Sequence, residues 1–292
     1  ADYDLDGWLD VFVANDKVPN FLLHNQGGKS FEEVGLFVGG ALQDHGKPVS
    51  SMGSDFRDLD GDGRPELVFT ALAGEGCPLF RAVSSDLLED ASYASGLAAA
   101  TREMSGWGVG LFDFDNDGRK DLFTANAHVN DTVAHFEASR YELPNAVFRQ
   151  KADGKFEDVS AAAGLTQARA HRGAAFADFD RDGRVDVVVT VLGERPELWR
   201  NTSPAEAGWL AVRLKGGKSN RDGIGARVRV GGQWNHATTS VGYAASSAGP
   251  VYFGLGGQKT PVEVEVIWPS GARQTLPDVE PNQEIEIAEP AP

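Results

Sequence analysis

Asp113-Phe-Asp-Asn-Asp-Gly-Arg-Lys-Asp121 is the stretch on which the reading of this chain turns. An apolar run ending at Phe112 precedes it, and another, Leu122 to Ala125, follows. The arrangement recurs as Asp2-Tyr-Asp-Leu-Asp-Gly-Trp-Leu-Asp10, Asp58-Leu-Asp-Gly-Asp-Gly-Arg-Pro-Glu66 and Asp178-Phe-Asp-Arg-Asp-Gly-Arg-Val-Asp186. The starts lie roughly 55 to 65 residues apart, a period that marks a propeller or a solenoid.

More than the acidic loop repeats. Each loop leads into a short run rich in Val, Phe and Leu: Asp10 to Ala14, Leu67 to Ala71, Leu122 to Ala125, Val185 to Val191. Such runs read as buried strands. A second strand follows at Phe21 to Leu23, Pro78 to Phe80, Ala146 to Phe148 and Glu197 to Trp199, and in three repeats a third, near Phe31, Leu87 and Phe156. Strands ending at Phe56, Phe112 and Phe176 precede loops two to four. Four strands per repeat, with the acidic loop joining the first to the second, describe a propeller blade. The fold class expected is all-β: a partial propeller of about three and a half blades over residues 1–204, with further blades upstream. An insertion from Asn126 to Asn145 lengthens the third repeat. Beyond it, runs such as Trp209 to Leu214, Ala226 to Val230, Val251 to Leu255, Val262 to Ile267 and Glu284 to Ile287 alternate apolar and polar residues. They predict a small antiparallel β domain over 205–288. Thr202 to Ala207 serves as linker, and 289–292 is expected to be a disordered tail.

The loops have the chemistry of a hard-cation site. Calcium takes six to eight oxygens, which a tight loop supplies from alternate residues. Positions 1, 3 and 5 are Asp2, Asp4 and Asp6; Asp58, Asp60 and Asp62; Asp113, Asp115 and Asp117; Asp178, Asp180 and Asp182. Position 6 is glycine each time, as a sharp turn requires. Position 7 (Trp8, Arg64, Arg119, Arg184) can offer a backbone carbonyl, and position 9 is acidic (Asp10, Glu66, Asp121, Asp186). Four carboxylates crowded together repel one another unless a cation joins them. Up to four Ca²⁺ are therefore expected, one per loop. An EF-hand needs a bidentate Glu at position 12 between helices; here position 12 is Val13, Phe69, Thr124 or Val189. Magnesium, which keeps several waters, suits so rich a protein ligand set less well.

The bulk properties narrow the function. The 292 residues carry a net charge of −16, which opposes binding to a nucleic-acid backbone. The single cysteine, Cys77, rules out an internal disulfide and a cysteine-based zinc site. No apolar run approaches the roughly 18 residues of a membrane span.

The approaches Phe56, Phe112-Asp-Phe114 and Phe176-Ala-Asp-Phe179 to Asp-x-Asp-x-Asp-Gly make the first part resemble the FG-GAP (VCBS) repeat family. That resemblance implies β-propeller blades that bind Ca²⁺ in a strand-connecting loop. Asn220-Arg-Asp-Gly-Ile-Gly-Ala-Arg-Val228, Gly242-Tyr243, Val251-Tyr-Phe-Gly-Leu-Gly256 and Val266-Ile-Trp-Pro-Ser-Gly271 resemble the ASPIC/UnbV domain. The two in this order are similar to the cartilage acidic protein family and its bacterial relatives. Tyr243-Ala-Ala-Ser246 departs from the family pattern, and the family's propellers have about seven blades. The resemblance implies a secreted, periplasmic or cell-surface calcium-binding protein and names no reaction.

Other motifs add little. His24, His45, His128, His135, His171 and His236 show no metal-ligand spacing, although His128 and His135 share the insertion with Asn130 and Asp131. There is no Gly-x-Ser-x-Gly nucleophile motif. Ser105-Gly-Trp-Gly-Val-Gly110 fits an inner blade strand, and Asn220 to Gly223 a hairpin turn or, as the alternative, a fifth cation loop. Asn130-Asp-Thr132 and Asn201-Thr-Ser203 fit the glycosylation pattern. The expected function is a non-catalytic binding or adhesion module for an unidentified protein or glycan. The alternative is a calcium-dependent extracellular lyase acting on polysaccharide, which needs a cluster of basic residues on one face.

Overall fold

The computed structural model describes residues 1–204 and 206–291. Ala205, where the linker and the boundary between the two β regions were expected, lies outside the described residues. The first region is an arc of four blades. Blade I pairs Val11–Val13, Phe21–Asn25 and Phe31–Glu33. Blade II pairs Ser54–Arg57, Glu66–Phe69, Leu79–Ser84 and Leu87–Asp90 in chain order. Blade III does the same with Gly106–Phe112, Asp121–Asn126, Ala146–Gln150 and Phe156–Asp158. Blade IV has three strands among the described residues, His171–Ala177, Asp186–Val191 and Glu197–Trp199. In blades II to IV the acidic loop joins the first strand to the second, as the repeat predicts.

Period-two alternation explains how the blades stack. Successive side chains of a strand point to opposite faces. Leu67 and Phe69 enter the layer shared with blade I, while Val68 enters the layer shared with blade III. Likewise Leu122 faces blade II and Phe123 faces blade IV. A strand buried on both faces must be apolar throughout, which is why these runs lack polar alternation. Full burial of such a side chain stabilises by about 1.5–3 kcal/mol. At the ends of the arc the rule leaves apolar residues uncovered: Val11 and Phe21 on blade I, Leu198 on blade IV.

The Asn126–Asn145 insertion contains a short 3₁₀ turn, Val133–His135, and a two-residue pairing of Leu143–Pro144 with Ala168–Arg169. His171, fully buried, pins it. Its Nδ1 lies 3.2 Å from the Asn126 carbonyl and 3.0 Å from that of Leu143, and its Nε2 is 3.2 Å from Glu197.

The C-terminal region is a sandwich with its own core, in which Leu210, Val212, Val228, Val230, Phe253, Val264, Val266 and Trp268 meet. One sheet orders Val251–Gly256, Gly208–Lys215 and Gln283–Ala288; the other orders Gln233–His236, Arg227–Val230, Val262–Ile267 and Arg273–Val279. Two features differ from the expectation. Gly208–Lys215 and Gln283–Ala288 run parallel, with Leu210 opposite Gln283 and Lys215 opposite Ala288. A parallel pair needs a crossover, and here the second sheet provides it. The tail is also not free at its start. Glu289 is buried, and its carboxylate accepts from the Gly217 and Ser219 amides at 2.8 and 2.7 Å and from the Ser219 and Ser270 hydroxyls. These donors hold its pKa down at about 2.

The segment between Gln233–His236 and Val251–Gly256 leaves the sandwich and enters the centre of the arc. Gly242 exchanges backbone hydrogen bonds with Ser54, Val241 joins the core between blades III and IV, and Tyr243 meets Trp107 edge-on with ring centroids 5.0 Å apart. The departure at Tyr243-Ala-Ala-Ser246 therefore lies where this segment packs against the blades.

Candidate metal centres

Each acidic loop is folded by its own carboxylates. Position 1 accepts from the glycine amide at position 6: Gly7 to Asp2 at 3.1 Å, Gly63 to Asp58 at 3.0 Å, Gly118 to Asp113 at 2.7 Å, Gly183 to Asp178 at 2.8 Å. Position 5 accepts from the amide at position 7, at 2.7 to 3.0 Å. Position 9 is buried and ties the loop to the blade. It accepts from the amide at position 2 in every loop, and in three from an amide at or just past the end of Phe21–Asn25, Ala146–Gln150 or Glu197–Trp199 as well: Asn25 to Asp10 at 2.8 Å, Gln150 to Asp121 at 2.9 Å, Asn201 to Asp186 at 2.7 Å.

The result is a converging set of oxygens. Ligand atoms of Asp2, Asp4 and Asp10 lie within 4.8 Å of one another, as do those of Asp58, Asp60 and Asp62, of Asp113, Asp115 and Asp121, and of Asp178, Asp180 and Asp186. Position 5 thus joins the trio only in the second loop, where Glu66 stands outside it. Asp117 and Asp182 instead pair with the side chains of Arg119 and Arg184, and Asp62 pairs with Arg64 at 2.6 Å. Asp6 groups with Asp4 and His24.

Two observations test whether a cation fits. Asp2 Oδ1 and Glu66 Oε1 are buried acceptors with no donor. A buried carboxylate oxygen left without a partner is costly, and a cation is the partner that the surrounding carboxylates invite. Protonation tells the same story. Burial, reinforced by the neighbouring aspartates, pushes Asp2 up to about 6, Asp113 to about 7, and Glu66 and Asp121 to about 8. The donor set is hard oxygen, which suits calcium. Carboxylates at positions 1, 3, 5 and 9 and the position 7 carbonyl would hold it, and its charge would replace the protons.

That substitution has a pH signature. The unfolded carboxyls titrate near their ordinary values of 3.8 and 4.5. The folded, calcium-free loops hold protons that the unfolded chain releases, so this contribution is complete below about pH 4 and is lost as pH rises through 7–8. With chelator, the melting temperature should fall between about pH 5 and pH 8. With saturating calcium the fall should vanish, and the calcium-induced shift should grow with pH. Melting curves at several pH values check this.

The structure also reveals residues that the motif reading passed over. One basic side chain, from Phe21–Asn25, Leu79–Ser84, Ala146–Gln150 or the residue just past Glu197–Trp199, reaches position 3 in every blade: His24 Nδ1 lies 3.2 Å from Asp4, Arg81 2.9 Å from Asp60, Arg149 2.9 Å from Asp115 and Arg200 2.6 Å from Asp180. Aligning these strands, rather than the loops alone, would have shown this column. Because exposed ion pairs are worth at most about 1 kcal/mol, Arg149→Gln should tighten calcium binding at the third loop by no more than roughly fivefold. Calorimetric titration checks the direction. Gln150 and Asn201 form a second column, donating their amides to the Leu59 and Phe114 carbonyls of the preceding blade's loop. Asn201 is thereby engaged in structure, which argues against its use as a glycosylation acceptor. Lys120, buried, donates to the Asp58 carbonyl at 2.7 Å and to the Trp234 carbonyl at 3.2 Å. His128 accepts from the Asn130 amide, and no metal group forms around the insertion among the described residues.

Comparison with known proteins agrees with this architecture. Residues 2–69 and 113–189 match the profile of the FG-GAP-like repeat, and 216–292 match that of ASPIC and UnbV. Cartilage acidic protein 1 of Mus musculus is 25% identical over 96% of this chain and 43% of its own length. The Homo sapiens and Xenopus tropicalis proteins of that name are each 24% identical over 96% of the chain and cover 42% and 43% of theirs. The chain thus spans less than half the length of these curated relatives. Among solved structures, an Agrocybe aegerita lectin specific for non-reducing terminal N-acetylglucosamine aligns over 68% of this chain and 50% of its own, with 18% identity and a TM-score of 0.33.

Proposed function

We propose, from the premise that the chain belongs to the FG-GAP-like repeat proteins carrying a C-terminal ASPIC and UnbV domain, that it is an exported calcium-binding propeller module that binds a protein or glycan without catalysis. The observation that carries this reading is the fourfold recurrence of one oxygen-lined loop at the same place in each blade. Calcium at millimolar concentration outside cells is matched by extracellular sites of about 10⁻⁴–10⁻³ M affinity. No helix among the described residues is long and apolar enough to cross a membrane. On this reading the uncovered faces of blades I and IV are where further blades pack.

The lyase reading needs basic residues gathered on one face. The arginines nearest the loops are instead each paired with an aspartate of their own blade. Incubation with uronate polymers in calcium, followed by absorbance of unsaturated product, separates the two. The binding reading expects no product and calcium-dependent retention on a glycan or protein array. Accumulating product would overturn it.

A further inference from the structure

The acidic loops are also the seat of the C-terminal sandwich, and each of the four carries part of it. At the first, Gly225 packs on the Leu9 side chain so closely that a Cβ there would lie 3.2 Å from it. At the second, the Arg227 guanidinium donates to the Gly63 carbonyl at 3.0 Å and lies 4.6 Å from the centre of the Trp234 ring. At the third, the Gly256 amide donates to the Asn116 carbonyl at 2.7 Å. Gly254 is pressed so near that a Cβ would fall 1.9 Å from Asp113 Oδ2. At the fourth, the Trp209 ring lies over Gly183, and the Asp178 amide donates to the Tyr252 hydroxyl at 3.2 Å. Asn116 links the third loop to the fourth through the Gly183 carbonyl at 3.0 Å.

Asp113 and Asp178 are position 1 ligand candidates, and Gly63 and Gly183 are the turn glycines. The atoms that would shape a cation site are therefore the atoms that touch the sandwich. Contacts this close leave no slack, because packed interfaces pass on a shift of a few tenths of an ångström rather than absorb it. We propose that cation binding in the loops and seating of the C-terminal sandwich are one coupled equilibrium. The cation fixes the loops in the shape that the sandwich requires. By reciprocity, the seated sandwich holds the loops in the shape that the cation requires. The proposal rests on the calcium reading and adds a role to it: the loops join the two regions of the chain as well as bracing the blades.

The test uses the whole chain. Hydrogen exchange is followed by mass spectrometry in calcium and in excess chelator. Calcium is also titrated calorimetrically into the wild type, Gly254→Val and Trp209→Ala. Coupling predicts at least roughly tenfold faster exchange in chelator for Trp209–Val212 and Val251–Gly256, with Val264 and Val266 in the sandwich core little changed, and a loss of calcium affinity within the roughly 5- to 150-fold range of coupled sites for the variants. Trp209→Ala, which removes the ring over Gly183 and adds no atom to the interface, serves if Gly254→Val does not fold. Equal exchange with and without calcium, or unchanged affinity in a folded variant, while the wild type still binds calcium, overturns the coupling and leaves the calcium reading standing. No binding heat in the wild type overturns both.

Discussion

Millimolar calcium should raise the thermal unfolding midpoint sharply, and excess chelator should lower it. At millimolar calcium, a site of about 10⁻⁴–10⁻³ M affinity that exists only in the folded state adds about 0.4–1.4 kcal/mol. Four loops acting together would then match a large-to-small core substitution, which costs about 2–5 kcal/mol. Asp115→Ala combined with Asp180→Ala should remove the share of the third and fourth loops and leave that of the first and second. Position 3 is the right place to cut. Asp115 and Asp180 pair with exposed arginines, whereas Asp121 and Asp186 hold the Gln150 and Asn201 amides to the loop. Their removal should therefore spare the frame and lose the ligand. Equal midpoints in calcium and chelator would show that hydrogen bonds alone keep the loops folded.

The second large effect separates backbone strain from docking. Gly7 and Gly183 occupy the same position of their loops, with φ of +95° and +85°. An L-residue there costs about 1–2 kcal/mol. Around Gly7 nothing lies within 4 Å of the place where a Cβ would stand; at Gly183 the Trp209 ring would be 2.1 Å away. Gly7→Ala should thus show the strain alone. Gly183→Ala should add an overpacking cost of about 1–3 kcal/mol and unseat Trp209. Chemical denaturation of the two variants, each also combined with Trp209→Ala, measures the difference. Identical losses would mean that the Trp209 contact contributes nothing.

What could be read from the chain alone was whatever is periodic or local. Strand alternation and the acidic spacing depend on neighbours a few residues apart, so blades II to IV and the oxygen trios follow from the repeats. The misses depend on long-range partners. Nothing about Gly254 indicates that Asp113 lies beside it, and Glu289 looks like part of a polar tail until Ser219 and Ser270 stand around it. The parallel pairing of Gly208–Lys215 with Gln283–Ala288 depends on how the second sheet carries the chain across. The basic column at His24, Arg81, Arg149 and Arg200 was legible in principle. It lies outside the loop motif, in strands whose apolar residues drew the reading.

The central claim is that four loops each hold one calcium ion, and counting the bound ions tests it most directly. Equilibrium dialysis against saturating calcium, about 10⁻² M or more, followed by metal analysis of the protein corrected for free calcium, should give about four ions per chain and about three for Asp115→Ala. A chain that retains no calcium, or an Asp115→Ala variant that retains as much as the wild type, would contradict it.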